Sequence, residues 1–568
     1  MAFLDSRTSR GIKYWSIVES RRVNGRPRNI ILEYLGTAES LLQKLSGQQE
    51  IAVKSYSHGD TAALINIANE LGIVDIINKH IPKDQKQIRD NCTVGASLLL
   101  AAIGRSCHPT SKNAWYDWCK ETSLEYTLKS SFKNLDSRHF WDQMNQLPVD
   151  AISKIEEELI SKIIYLYKIK LDTLFFDTTN FFTFIASEND RCDLPQRGKN
   201  KQHRSDLRQV GMGLLVSRKE QFPLFHKTYT GNTNDSKLFH EVFNDLSARI
   251  KAMDQNVTDI TIVFDKGNNS KENFKMIDDD NIYYVGGLVS SHFKSLIDEA
   301  NKNFSPIKID DEEVPAYRIK QEIWGNERTC VVTISSQLKE GQIRGIEQHL
   351  GKKYKTLQAL KQQLENPNKR KSYSADELKT KLLSIIKGQF IENILKFEII
   401  QLKNNDHTFT YHIDSDAYDY LKNNILGRKI VVTNRHEWSS AEILLAYRGQ
   451  AKVEYAFRNL KNPLHLAIRP QFHWTDQKIE VHFFICIVGY LLSIAAYNKA
   501  RSIVKYKRNI SNFFEELRSI RLSCRTAKKG KNVIYQLEQI PKKLQKVANI
   551  LGITNDNIRP KINFSGYI

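Results

Sequence analysis

LDTLFFD at 171–177 and DITIVFD at 259–265 are short apolar runs, each closed by an aspartate. Runs this short, rich in β-branched and aromatic residues, read as strands buried in a sheet. Asp177 and Asp265 are therefore expected where a strand leaves its sheet, a common place for ligand-contacting residues in α/β folds. Taken singly, such an aspartate more often caps a turn or a following helix. Further apolar runs surround the pair. FFTFIA, QVGMGLLVS and FPLFHKTY read as strands, a helix is expected at about 236–252, another begins near Ser270, and IYYVGG reads as a strand. A group of strands, a helix, then strand–helix–strand is a mixed α/β pattern.

Residues 301–424 interrupt that pattern. AYRIKQEIW, RTCVVTISS, FEIIQLK and TFTYHID read as strands, with a lysine-rich helical stretch between them that includes NKRKSY at 368–373. GRKIVVTN at 427–434 returns as a strand, and SSAEILLAYRGQAKVEYAFRNLKN at 439–462 follows as one long helix. Ser439 with Glu442 fits a capping box, and Trp438 with Ile443 a hydrophobic staple. Helical geometry puts Tyr447, Gln450, Glu454, Arg458 and Lys461 on one face and Val453, Phe457, Leu460 and Leu464 on the other. By periodicity alone this is an ordinary amphipathic helix with a Glu454–Arg458 ion pair.

Tyr447, Glu454 and Lys461 also stand at the spacing of the Tyr-x2-Arg-x3-Glu-x6-Lys signature of DDE insertion-sequence transposases. The string YRGQAKVEYAFRNLKNPLHLAIRPQFHW, followed by KIEVHFFICIVGYLL, resembles insertion-sequence family 1634, a relative of insertion-sequence family 4. RGKNKQHRSDLRQVGMGLLVS, FPLFHKTYTGNTNDSKLF, VFDKGNNSKENF and the N-terminal IKYWSIVESRRVNGRPRN with LEYLG are similar to that family too. The resemblance implies a ribonuclease H-like core with a β-rich insertion before the catalytic glutamate. It implies that Asp177, Asp265 and Glu454 are catalytic and hold two Mg²⁺ ions, with Mn²⁺ as a substitute. Such a site cuts and joins DNA by phosphoryl transfer between oxygens, for which hard carboxylate ligands suit the metal. Tyr447, Lys461, Arg448 and Arg458 are then candidate DNA contacts. Gln450 replaces the signature arginine, so its contact lacks charge. His203 and Arg204, in a basic segment, are weaker candidates for which a solvated loop is the plainer reading. The implied partners are double-stranded DNA, as element ends and as target, and a second copy of the chain in the DNA complex. Two other readings compete: a catalytically inactive DNA-binding relative, and a stand-alone Mg-dependent nuclease.

Composition agrees with a polyanionic partner. Lys plus Arg number 84 against 64 Asp plus Glu, a net charge of +20, which suits nucleic acid. Seven scattered cysteines without a C-x-x-C pair argue for a reducing compartment and against a zinc site or a disulfide framework. The most apolar stretch, VHFFICIVGYLLSIAAY at 481–497, is short for a membrane span and reads as a buried core helix. A soluble, cytoplasmic, nucleoid-associated prokaryotic protein is expected. The α/β core thus divides into 169–300 and 425–510 around an insertion at 301–424. An N-terminal hairpin region spans 1–45, with Asn24-Gly25 suited to a type I′ turn. A helical, DNA-binding region spans 50–168, and a basic helical tail 511–568, with Lys528, Lys529, Lys531, Lys542, Lys543 and Lys546.

Overall fold

The computed structural model describes residues 2–23, 26–45, 51–82, 88–186, 188–200, 202–233, 235–253, 259–265, 267, 270–280, 282–366, 373–402, 406–469, 471–504, 506, 508–527 and 533–559. The Asn24-Gly25 turn, most of the NKRKSY stretch and Lys528, Lys529 and Lys531 lie outside these residues. The chain forms two compact units, one of Met1–Gln146 with Leu492–Ile568 and one of Leu147–Leu491.

The first unit opens with an antiparallel sheet of β1 (Ala2–Ser9), β2 (Ile12–Val23) and β3 (Arg26–Thr37). The expected hairpin is β2–β3; β1, in AFLDSRTS, pairs along β2 as a third strand. β4 (Ile51–Ser57) precedes the helices Gly59–Leu71 and Ile73–Lys79, and the short strands β5 (Ile88–Arg89) and β6 (Cys92–Thr93) precede the helix Val94–Cys107. All 14 residues of that last helix are buried. It is apolar all round because it is a core helix, not a surface one.

The second unit contains the helix Val149–Tyr167 and a mixed sheet built on β7 (Thr173–Phe182), β8 (Gln209–Ser217), β9 (Pro223–Thr230), β10 (Thr261–Phe264) and β11 (Tyr283–Leu288). That first helix fell within the region expected to be a separate helical domain. It belongs here because its buried Glu156 hydrogen bonds His226 of β9 and lies 3.7 Å from Arg249 on the helix Asp235–Met253. β7, β8 and β9 form an antiparallel meander; β10 then pairs parallel to β7 on its other side, and β11 parallel to β10. The runs DTLFFD and FFTFIA are not two strands: the single strand β7 takes in Thr173–Asp177 of the first and ends at Phe182, two residues into the second. Asp177 therefore lies in mid-strand, paired with Leu214 of β8. On the β10 side, however, the ladder ends at Phe175↔Val263.

The strands β12 (Ser305–Ile309), β13 (Glu312–Ile323) and β14 (Asn326–Ile334) extend this same sheet through β17 (Arg428–Thr433), giving the order β12-β13-β14-β17-β11-β10-β7-β8-β9. The rest of the expected insertion has a core of its own. Leu357, Leu360 and Leu364 of the helix Ser336–Glu365 pack with Leu378 and Leu382 and with Phe409 of the hairpin β15 (Leu395–Gln401) and β16 (His407–Ile413).

The helix Asp476–Val504 includes VHFFICIVGYLLSIAAY. The stretch Asp476–Ile503 is long and apolar enough to cross a membrane by length and composition, but 94% of its most apolar window is buried inside the protein. The helix is thus longer than its apolar run suggests, and its burial is as expected. In the first unit, the tail departs from an all-helical reading. After the helix Ile510–Arg518, β18 (Arg521–Ala527) and β19 (Val533–Leu537) form a sheet in the order β19-β18-β4, before the helix Lys542–Ile550.

One close approach holds the second unit's helices to its sheet. A Cβ on Gly449 would lie 2.3 Å from the ring of Phe175. Gly449→Ala is expected to destabilise the protein by about 1–3 kcal/mol, as overpacking of a filled core does. Its backbone, at φ −62°, accepts alanine, so Phe175→Leu should recover part of the stability in denaturant melts. A Gly449→Ala protein of wild-type stability would contradict the packing.

Candidate active site

Strand periodicity sorts β7 into two faces. Phe176 joins Phe239 and, through it, Phe264 and Phe274, under the helices Asp235–Met253 and Lys271–Asp279. Phe175, Asp177, Thr179 and Phe181 face the other way. The register Phe175↔Val263, carried two residues on, sets Asp177 level with Asp265, which directly follows β10. Adjacent strands lie about 4.8 Å apart. The pairing Phe264↔Gly286 likewise sets Gly287 of β11 level with Asp265. A row of Asp177, Asp265 and Gly287 therefore crosses three parallel neighbours.

The expected single helix of 439–462 lies over this face as two. Ser440–Arg448 is followed by Ala451–Leu460, with a break at Gly449-Gln450. The capping box is present: Ser439 accepts from the Glu442 amide, and the Glu442 carboxylate accepts from the Ser439 amide. At the break the bonds tighten to a three-residue span, from the Gln450 amide to Tyr447 O, from Lys452 to Gly449 O and from Val453 to Gln450 O. The nearby ring of Phe175 explains why glycine stands there. Trp438 is stacked on the Arg435 guanidinium, 5.0 Å away.

The break decides where the candidate residues go. Tyr447 ends near Gly287, where a Cβ would come within 2.3 Å of its hydroxyl. That hydroxyl donates a 3.1 Å hydrogen bond to Asp265 Oδ1. Its pKa is pushed up, first by burial, then by the charge and hydrogen bond of Asp265, then by the charges of Asp177 and Glu454. All three expected carboxylates thus act electrostatically on one phenol. Asp177 and Asp265 are half-buried, and Glu454, in the first turn of its helix, is exposed. Among the described residues, no three His, Cys, Asp or Glu side chains are gathered closely enough to hold a metal ion.

Gln450 is buried, and its Nε2 donates to Phe176 O at 3.0 Å. That carbonyl lies just past the last β10 pairing of β7, so the amide ties the second helix to the strand beside Asp177. Lys461 Nζ donates to Thr179 Oγ1 at 2.5 Å and sits 5.1 Å from the centroid of the Phe181 ring. Arg448 is exposed and pairs with Glu312 at 3.4 Å; Arg458 is exposed. His203 is exposed in a left-handed conformation, and Arg204 pairs through two bonds with Asp206, holding that carboxylate down to about 2. The structure thus brings Asp177, Asp265, Glu454, Tyr447, Gln450 and Lys461 to one face, whereas Arg204 is engaged within its own loop. Sequence reasoning missed Thr179 and Gly287. Thr179 was open to discovery, as the residue two past Asp177 on the same face of a strand.

The model for the transposase DDE domain matches residues 187–492. The chain belongs to the DDE transposase family. The matched region of this transposase includes Asp265 and Glu454 and begins after Asp177. A solved structure that it resembles is the cryo-EM structure of a piggyBac transposase synaptic complex with hairpin DNA. The two are 12% identical, with 80% of this chain and 79% of that chain covered and a TM-score of 0.38. No curated protein matches the chain.

Gln450→Leu separates a structural tie from a surface DNA contact. Loss of the amide leaves a buried carbonyl without its side-chain donor, which costs about 1–3 kcal/mol. A lowered melting temperature is expected. An unchanged one, with DNA binding impaired, would return Gln450 to the role of a simple DNA contact.

Proposed function

We propose that this transposase binds the ends of an insertion sequence, cleaves them and joins the freed 3′-OH ends to target DNA. The observation that carries this reading is the alignment of Asp177 with Asp265 on adjacent parallel strands, under the helix that bears Glu454. The strand order β9-β8-β7-β10-β11 supports a ribonuclease H-like core, since an antiparallel meander extended by two parallel strands is the arrangement that such a core requires. The spacing of Tyr447, Glu454 and Lys461 supports an insertion-sequence transposase, and the string YRGQAKVEYAFRNLKNPLHLAIRPQFHW supports its membership of family 1634.

In the first step, a water oxygen bonds to the scissile phosphorus and the 3′ oxygen of the element end departs as a hydroxyl. In the second, that 3′ oxygen bonds to a target phosphorus and the target's own 3′ oxygen departs. Asp177, Asp265 and Glu454 would hold two Mg²⁺ ions, or Mn²⁺ in their place, which activate the attacking oxygen and stabilise the leaving one when bound. The residues present fit that role in charge and donor type, and Asp177 and Asp265 fit it in register. Tyr447 would keep the carboxylates oriented through its hydrogen bond to Asp265. Lys461 would touch a phosphate near the cut, with Arg448 and Arg458 contributing from the exposed helix surface. Two identical ends are most simply paired by two copies of the chain about a twofold axis. The setting is the prokaryotic cytoplasm, at the nucleoid.

Asp177→Ala, Asp265→Ala and Glu454→Ala should each lower Mg²⁺-dependent cutting and joining by roughly a thousandfold, equivalent to ~4 kcal/mol of transition-state stabilisation. End binding should hold, because removing an acid relieves repulsion of the DNA; melting temperature should hold for Asp177→Ala and Glu454→Ala, whereas Asp265→Ala also removes the acceptor of the Tyr447 phenol and should lower it. A folded variant that cuts at the wild-type rate removes that residue from the site. Cutting without joining by the wild-type protein would favour a nuclease, and neither activity a binding protein. Lys461→Ala should reduce end cleavage more than general DNA binding. Equal reductions would make it an ordinary backbone contact.

A further inference from the structure

The N-terminal sheet ends in an overhang. β1 pairs with β2 only from Ile12 to Glu19, whereas β2 and β3 stay paired to Val23↔Arg26. Ser20–Val23 with Arg26–Asn29 is thus a two-stranded ribbon that extends about 13 Å past the third strand, at roughly 3.3 Å per residue. Half of the residues in these two segments are arginine. From Ser20 to Leu32 the chain reads SRRVNGRPRNIIL, four arginines and no Asp or Glu. Arg21, Arg22, Arg26 and Arg28 are all exposed.

The register makes the charge pattern sharper. Arg21 stands directly opposite Arg28, and Arg26 is opposite Val23, so Arg21, Arg26 and Arg28 share a face; Arg22, opposite Pro27, is on the other. Like charges directly opposed across a strand pair are destabilising. Glu19 offsets this in part by bonding Arg21 Nε at 2.6 Å. Beyond it the ribbon's own sequence supplies positive charge and no acid to neutralise it. An anion with regularly spaced charges is the complement, and the DNA major groove, about 12 Å wide and 8.5 Å deep, admits a two-stranded ribbon.

We propose that this ribbon is a DNA-gripping element, with Arg26 and Arg28 on one face and Arg22 on the other contacting the phosphates that flank a groove. The assignment rests on the reading of the protein as acting on duplex DNA, and adds to it a second DNA-binding surface in the unit that does not carry the carboxylates. Arginine suits the task, since its planar fork binds phosphate oxygens in pairs and remains charged at any physiological pH.

The test uses the full chain and a fluorescein-labelled 30-base-pair duplex of random sequence, with anisotropy measured across a salt series. The triple variant Arg22→Gln, Arg26→Gln, Arg28→Gln should bind at least tenfold more weakly near 150 mM salt. For every phosphate that is no longer neutralised, the log–log salt slope should flatten by about 0.9. The melting temperature should stay at the wild-type value because the three side chains are exposed. The corresponding Arg→Lys triple should restore most of the slope. Wild-type affinity and slope in the glutamine variant would overturn the proposal while leaving the transposase reading standing. Wild-type protein that does not bind duplex at all would overturn both. A glutamine variant that changes sedimentation in the absence of DNA would assign the ribbon to pairing between copies of the chain, and would overturn the proposal too.

Discussion

The parallel pairing of β7 with β10 is the constraint on which the site depends. Side chains alternate along a strand with a period of two, so a one-residue slip would carry Asp177 to the face where Phe176 now packs. The register is secured from both sides of the sheet. Phe176 and Phe264 anchor one face through the aromatic cluster around Phe239, and Phe175 anchors the other against Gly449. Two aspartates 88 positions apart in the sequence are thereby set level on neighbouring strands. The third acid comes from a helix whose approach to the strand is fixed by glycine at one residue and a buried amide at the next.

Much of this was legible from local pattern. The capping box at Ser439, the strand runs that end in Asp177 and Asp265, and the alternation from β2 to β3 are decided by residues close in sequence, where propensity and periodicity act. The break at Gly449 was not legible as a break. Glycine in a helix lowers its stability but does not announce a kink; the reason for it, the ring of Phe175, lies far away in the chain. The same limit explains the sheet. The strand character of AYRIKQEIW and RTCVVTISS was readable, but their pairing with β17, and through it with β11, is a tertiary choice that no window of sequence contains. β18 pairs with β4, more than 450 residues earlier, a pairing that the sequence of the tail alone does not contain. Asp177 in mid-strand has a similar cause: β8 continues the ladder past it on one side while β10 stops on the other.

Gln450 shows how a buried polar side chain can serve the backbone of a neighbouring strand. Arginine at position 450 would carry a charge into a buried setting beside two aspartates. Glutamine carries none, and its amide reaches the backbone of β7. A neutral donor there bonds a carbonyl just past the last β10 pairing. Arg448, just before the break, and Arg458 on the following helix are exposed, and Arg448 pairs with Glu312.

A row of carboxylates is a poor place for a polyanion to dock unaided. The phenol of Tyr447 donates to Asp265 and stays neutral, because burial and three nearby acids hold its proton in place. The ammonium of Lys461 is bonded to Thr179, on the same face of β7 as Asp177. Among the described residues, Asp177, Asp265 and Glu454 set negative charge on the face that also carries Lys461. Attraction has to come from charge held elsewhere, and a net charge of +20 over the whole chain leaves a large surplus of bases outside the row. Exposed bases supply salt-sensitive attraction over a broad surface, away from the row of acids. A lysine in place of Tyr447 would carry a charge into a buried setting, at a desolvation cost, whereas the phenol reaches the aspartate as a donor without charge.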